Sequence, residues 1–485
     1  MEQHQTPYTK QGVITGIRWS AASQFGRQAI QIVSTIVLAR LLFPSDFGLA
    51  SMTFVVTGFI TLFSDLGTSS AIIQKKDISG RLLSSIYWIN VSFGFLVMGL
   101  LLITAPLAAW AYKEPRLTPL LIALSSAFPI SGVTIVQKAL LERELEFDKL
   151  ARIEIISTGI GAATAIVLAF QGAGVWSLVG QALISSMVAT VILWKTSRWR
   201  PQLLFNWSDV TSVSSYSLNL VGFSVVNYIS RNADYILIGR FLGAQDLGYY
   251  SLAYRLMLYP LQNITGVISR VMFPFFSQIQ EDDNRLRQAY LKIGSTIAFL
   301  TFPMMLGLIV VSKSFVSVFF GARWAPVAIL LMILAPVGMI QSLSSLNGSI
   351  YGAKGRTDLQ FRFGALFSAL TILSFIIGLQ WGIIGVAASY AIAMTLLIYP
   401  SFLIPFRIIH MQFIDFLAVL RQTLLATLIM FISILILRIS FPVDIPHHWI
   451  IIILVPVGCI AYLIASWWMN RQLVRELIGI VGGQK

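Results

Sequence analysis

Residues 82–105, LLSSIYWINVSFGFLVMGLLLITA, run on without a single charged side chain. Water offers such a segment nothing, whereas a bilayer core is crossed by about twenty apolar residues in a helix. An α-helix is also the one open structure that satisfies every backbone N–H and C=O within the segment itself, as lipid requires. The same criterion is met in all by fourteen stretches: 14–40, 47–70, 82–105, 117–138, 151–170, 173–194, 211–238, 247–276, 289–311, 325–350, 360–378, 382–405, 414–440 and 448–469. Composition agrees, since 56% of the residues are hydrophobic and 11% charged, where soluble chains carry about a quarter charged. The expected fold is an all-α integral membrane protein of about fourteen transmembrane helices.

The net charge of +14 would suit nucleic acid if the basic residues formed a patch. They lie instead in short connections between apolar runs, as the positive-inside rule requires. Connections after even-numbered stretches hold Lys75, Lys76 and Arg81; Lys138, Arg143 and Lys149; Lys195, Arg198 and Arg200; Arg285, Arg287 and Lys292; Lys354 and Arg356, and the tail adds Arg471, Arg475 and Lys485. Odd-numbered connections hold far fewer. Both termini are therefore expected on the cytoplasmic side, which demands an even number of spans. Residues 1–12 are polar and lead into the first stretch without a small-residue cleavage site, so the first helix reads as uncleaved. No nucleic-acid partner is expected.

One string occurs twice. ARLLFPSDFG at 39–48 returns as GRFLGAQDLG at 239–248, matching Arg40 to Arg240, Leu42 to Leu242, Asp46 to Asp246 and Gly48 to Gly248. The offset passes six stretches, an even number, so both copies face the same way and form a parallel repeat. EFDKLAR (146–152) and RTDLQFR (356–362) correspond at a similar offset. The domains that follow are a six-helix lobe at 1–200, a second at 201–410, and an unrepeated helix pair with a tail at 411–485.

Polar residues within the stretches are uneven. Gln24, Arg27 and Gln31 lie on the first, Asp65 on the second, Asn219, Asn227, Arg231 and Asp234 on the seventh, and Arg255 and Arg270 on the eighth. Ionisable groups at membrane depth cost a few kcal/mol and face a bundle interior or a watery cavity. The concentration in the first two helices of each repeat thus suggests one cavity with net cationic lining. Guanidinium groups suit phosphate or carboxylate, so Arg27, Arg231, Arg255 and Arg270 are candidate contacts for an anionic solute. Gln24, Arg27 and Gln31 share a helix face through their spacing of three and four. Arg231 and Asp234, three apart, could instead pair with each other. Arg40 and Arg240 read as anchors of helix ends.

Tryptophans such as Trp19, Trp110 and Trp467 fall near stretch ends, where indole favours the interface. Tyr250 and Tyr254, beside Arg255, could instead stack on sugars in a wet vestibule, and Asp65, Glu154 or Asp234 could carry a coupling ion. No GxxxxGK[ST] loop is present. With one cysteine, Cys459, and four histidines, no metal-ligand or nucleophile spacing forms, so neither cofactor nor enzymatic chemistry is expected.

VLARLLFPSDFGLASM, DLGTSSAIIQKKDIS, ALLERELEFDKLARIE, NADYILIGRFLGAQDLGYYSLAYRL and VISRVMFPFFSQIQEDDNRLR occur in that order. Together they make the chain resemble, over about residues 10–410, the bacterial polysaccharide transporters of the Wzx type. The resemblance implies the multidrug/oligosaccharidyl-lipid/polysaccharide flippase fold, two six-helix lobes around a central cavity. It also implies an undecaprenyl-pyrophosphate-linked oligosaccharide as cargo, carried across the bacterial inner membrane by alternating access. The last helix pair would then offer a groove for the lipid tail, and polysaccharide polymerase machinery would be a partner beside membrane lipids. The family does not fix individual cavity residues. A multidrug-extrusion-like small-molecule antiporter and a non-transporting scaffold of polysaccharide assembly remain alternatives.

Overall fold

The computed structural model describes residues 10–62, 68–75, 78–207, 218–442 and 444–481. Their regular structure is helical throughout. The first half comprises α1 (Lys10–Leu41), α2 (Pro44–Thr61), α3 (Thr68–Gln74), α4 (Gly80–Tyr112), α5 (Leu117–Ser125), α6 (Ala127–Gly132), α7 (Ile135–Arg143), α8 (Phe147–Phe170), α9 (Trp176–Thr196) and α10 (Leu218–Phe241). There follow α11 (Ala244–Gln278), α12 (Asp283–Phe319), α13 (Ala325–Ser344), α14 (Asn347–Ala353), α15 (Thr357–Gly378), α16 (Gly382–Ile408), α17 (Phe413–Ser440), α18 (His447–Met469) and α19 (Arg471–Val481).

Each apolar stretch read from the sequence falls on one of these helices or on a short succession of them, apart from residues 63–67 and 211–217, which lie outside the described residues. The fourth stretch is not one straight helix: α5 and α6 lead into α7 through a 45° bend. Among the described residues, eight helical stretches are long and apolar enough to cross a membrane, and none of them is α1, α2, α10 or α11. Three of these, α1, α10 and α11, carry the polar residues singled out from the sequence. Elsewhere large apolar side chains face outward, among them Leu96, Ile103, Ile436, Ile439 and Leu463. That is the inverse of a water-soluble surface.

Helix starts follow from local chemistry. Pro44 opens α2, where a missing N–H costs nothing, and Asp46 Oδ2 accepts from the Phe43 N–H at 2.9 Å. Ser79 Oγ caps α4 by accepting from the Leu82 N–H, and Asp282 Oδ1 caps α12 by accepting from the Asn284 and Arg285 N–H groups.

The chain divides into two compact units, Met1–Gly248 and Tyr249–Lys485, with the boundary inside α11. In the first unit α8 packs on α1 and α9, α4 on α5 and α6, and α10 on α2. In the second, α12 packs on α13, and the unrepeated pair α17 and α18 packs on itself and on α12. Tyr290, Phe402, Phe406 and Phe416 form an aromatic core there, with the Tyr290 and Phe406 rings edge to face at 5.4 Å. The Tyr462 hydroxyl donates to the Phe299 carbonyl at 2.8 Å and ties α18 to α12.

The repeated string has a structural use within the first unit. A Cβ on Gly48 would stand 1.7 Å from the Ala244 carbonyl oxygen, and one on Gly248 would stand 1.9 Å from the Pro44 carbonyl oxygen. Adding two hundred to 44 and 48 gives 244 and 248, so the two contacts exchange under the repeat. Only glycine permits backbones this close.

Candidate functional site

The polar residues of the first unit sit on α1, α8 and α10. Arg27 on α1 is half-exposed, and its Nε lies 3.4 Å from Glu154 Oε2 on α8. Ser23 Oγ donates to the same carboxylate oxygen at 2.7 Å. Below them on the same helix pair, the Arg152 guanidinium lies over the Trp19 ring, 5.7 Å from its centroid. Glu154 therefore serves as the counter-charge of Arg27. Gln24 is half-buried and Gln31 exposed on the face they share with Arg27.

On α10 the residues separate by direction. Asn227 and Arg231, four apart, are exposed on one face. Asp234 is buried, and its Oδ1 accepts from the Tyr235 N–H at 2.9 Å. The alternative pairing of Arg231 with Asp234 does not form, because the helix turns one outward and the other inward; among the described residues Arg231 has no ion-pair partner. Tyr228 fixes the helix: its hydroxyl donates to the Val55 carbonyl at 2.9 Å, where Gly58 leaves room.

In the second unit Arg255 is half-buried on α11 and has no ion-pair partner among the described residues. Tyr254 beside it is half-buried, and its hydroxyl accepts from Gln341 Nε2 on α13 at 3.4 Å, while the same amide donates to the Tyr390 hydroxyl on α16 at 2.6 Å. Tyr250 corrects the expectation of a sugar-stacking ring. It is fully buried and stacks on Tyr254 with centroids 5.9 Å apart, so it offers no open face. Asp65 lies outside the described residues, as do the side chains of Asn219 and Arg270.

Two participants escaped the sequence reading. Ser23 is four residues before Arg27, on the same face, and Gln341 is the one amide in the apolar α13. Each carried a signal, a polar side chain where the neighbours are apolar.

Polar groups confined to particular helices, in a bundle otherwise apolar on its outer faces, define the class of a multi-pass membrane protein. The fold is that of the solved structure "Lipid II flippase MurJ, inward closed conformation", with a TM-score of 0.76 at 18% identity over 94% of this chain and 100% of the other. The sequence matches the polysaccharide biosynthesis protein family over residues 37–329. It is 33% identical to lipopolysaccharide biosynthesis protein WzxC of Escherichia coli over 79% of this chain and 78% of that one. It is 27% identical to succinoglycan biosynthesis transport protein ExoT of Rhizobium meliloti over 99% and 98%. The chain belongs to the polysaccharide biosynthesis protein family.

Proposed function

We propose that this protein is a flippase that carries undecaprenyl-pyrophosphate-linked oligosaccharide units from the inner to the outer leaflet of the bacterial inner membrane, by alternating access and without enzymatic chemistry. The observation that carries the reading is a guanidinium without an ion-pair partner among the described residues on each of two polar helices, Arg231 on α10 and Arg255 on α11. A guanidinium without a counter-charge suits an anion, and pyrophosphate accepts its paired N–H groups. Membership of a polysaccharide biosynthesis family supports the glycan, and the name of ExoT, a transport protein, supports its movement.

In this reading the lobes are residues 1–200 and 201–410, with the pair in 411–485 beside the lipid tail and both termini cytoplasmic. The pyrophosphate docks on a guanidinium, Arg231 of the first unit or Arg255 of the second, and the glycan lies along the polar faces of α1 and α10, past Gln24, Gln31 and Asn227. Arg27 contributes less, because Glu154 already holds it. Polymerase machinery receives the delivered unit.

The test is leaflet-resolved. Cells lacking their own flippase receive the wild type, Arg231→Gln with Arg255→Gln, or Arg27→Gln, at matched membrane levels, and lipid-linked units are counted on each leaflet. The wild type moves them outward, the double variant traps them inside, and Arg27→Gln keeps partial transport. Equal transport by wild type and double variant removes the two arginines from the cargo site.

A further inference from the structure

A second cationic site lies away from the helix faces assigned to cargo. Where α4 ends, an open cleft of about 600 Å³ is lined by Pro106, Ala109, Trp110, Lys113, Thr118 and, from the last turn of α10, Arg240. That volume falls in the range of ligand sites, about 300–1,000 Å³. Its walls are apolar, and its two ionisable groups have the same sign. Glu114 cannot neutralise them: Arg116 binds its carboxylate through two hydrogen bonds, of 2.8 and 2.9 Å, and holds it below the usual carboxylate range. Among the described residues neither Lys113 nor Arg240 has an ion-pair partner. Moreover, Arg240 Nη1 is buried and has no hydrogen-bond partner.

A cation at a helix C-terminus is favoured by the helix dipole, and that accounts for a basic residue at 113 and at 240. It does not account for a buried guanidinium nitrogen left without an acceptor, which buried polar groups seldom are. Nor does the repeat, since Arg40, the counterpart of Arg240, is exposed. An acceptor supplied by a ligand completes Arg240, with the exposed Lys113 as a second cation beside it. Trp110, 73% exposed at the rim, suits the level of lipid headgroups.

We infer that this cleft binds the phosphate of a membrane lipid, with Lys113 and Arg240 on the phosphate oxygens and Trp110, Pro106 and Ala109 against the adjoining apolar part. On the orientation proposed above, on which this placement rests, the cleft opens toward the outer leaflet. Two lipids carry this chemistry there: a resident anionic phospholipid, and the delivered cargo with its pyrophosphate.

The test uses the delipidated full-length protein in detergent, titrated separately with phosphatidylglycerol and with undecaprenyl pyrophosphate and followed by native mass spectrometry. Lys113→Gln with Arg240→Gln is compared with the charge-preserving Arg240→Lys, and Arg231→Gln with Arg255→Gln reports on the cargo site. Loss of about tenfold in phosphatidylglycerol affinity, the equivalent of one good charge-assisted contact, with Arg240→Lys largely preserving binding, supports a resident phospholipid. The same loss for undecaprenyl pyrophosphate, additional to that of the 231/255 variant, supports a release site for cargo. Unchanged affinity for both lipids in the 113/240 variant overturns the inference. The flippase reading is scored separately, by the leaflet counts, so either can fail alone.

Discussion

The two copies of the repeated string reach the same hairpin by different means. In the first, α1 passes into α2 through Phe43 in an extended conformation, with Pro44 opening the new helix and Asp46 holding the Phe43 N–H. In the second, Gly243 takes that place with φ of +90°, and its N–H returns to the Ile238 carbonyl at 3.1 Å. Proline and an acid side chain do in one copy what a left-handed glycine does in the other. The glycines five residues on, Gly48 and Gly248, are the same in both, because each meets the opposite copy's backbone. Arg40 and Arg240 also match in sequence yet differ in setting, one exposed and the other lining a cleft. The glycines that touch across the repeat are the same in both copies, while the residues whose backbone they meet, Pro44 and Ala244, the turn chemistry and the surface charge differ.

That comparison breaks most directly at the glycines. Gly48→Val and Gly248→Val each push a side chain into a carbonyl group, and overpacking of this kind costs about 1–3 kcal/mol or more. Both are expected to remove most folded protein from the membrane, measured as detergent-extractable monodisperse protein. If one is tolerated and the other is not, the contacts are not equivalent. Gly243→Ala comes next, at about 1–2 kcal/mol for a side chain in the left-handed region; Phe43→Ala, at an exposed residue with ordinary backbone angles, should shift the thermal midpoint less. Asp46→Ala loses the cap and costs about 1 kcal/mol. Asp246→Ala should cost less, since Gly243 closes that turn without it.

The smallest effect concerns pH and contrasts the starts of α4 and α12. Asp283 Oδ1 lies 2.6 Å from Lys354 Nζ and Oδ2 lies 2.8 Å from His410 Nδ1, and these bonds hold its carboxyl below the usual range. Arg287 adds a bond to the His410 carbonyl at 2.9 Å. A depressed folded pKa contributes stability that is complete above the ordinary carboxylate pKa of about 4 and is lost as pH falls through the lower folded value. The start of α4 rests on Ser79, which does not titrate. Hydrogen exchange on acidification should therefore rise at 283–287 and 410–412 before it rises at 80–83, and Asp283→Asn should remove the difference. Simultaneous loosening would mean that Asp283 contributes nothing specific.

Much of the fold was legible because lipid allows so few solutions. The apolar stretches became helices wherever the residues are described, and the polar helices α1, α10 and α11 stood apart from the rest in both readings. The break of the fourth stretch between α6 and α7 was not read, although Gly132 and Val133 interrupt it, since hydropathy records length rather than direction. The site was legible as a set of residue types and helix faces. Its internal partnerships were not: Arg27 and Glu154 are 127 positions apart in sequence, and no periodicity along one helix reports which neighbour it meets.

The sequence by itself determined that the chain crosses a bilayer as helices, that it was built twice, and where its uncommon charges lie, because each follows from local composition, spacing and the cost of polar groups in hydrocarbon. Only the tertiary structure decided which charges are answered. Packing of α1 on α8 supplied Arg27 with a carboxylate, the turn of α10 parted Arg231 from Asp234, burial removed Tyr250 from any open surface, and the meeting of α4 with α10 left Arg240 with a nitrogen awaiting an acceptor. Charge is a property of a residue, but its compensation is a property of what stands beside it.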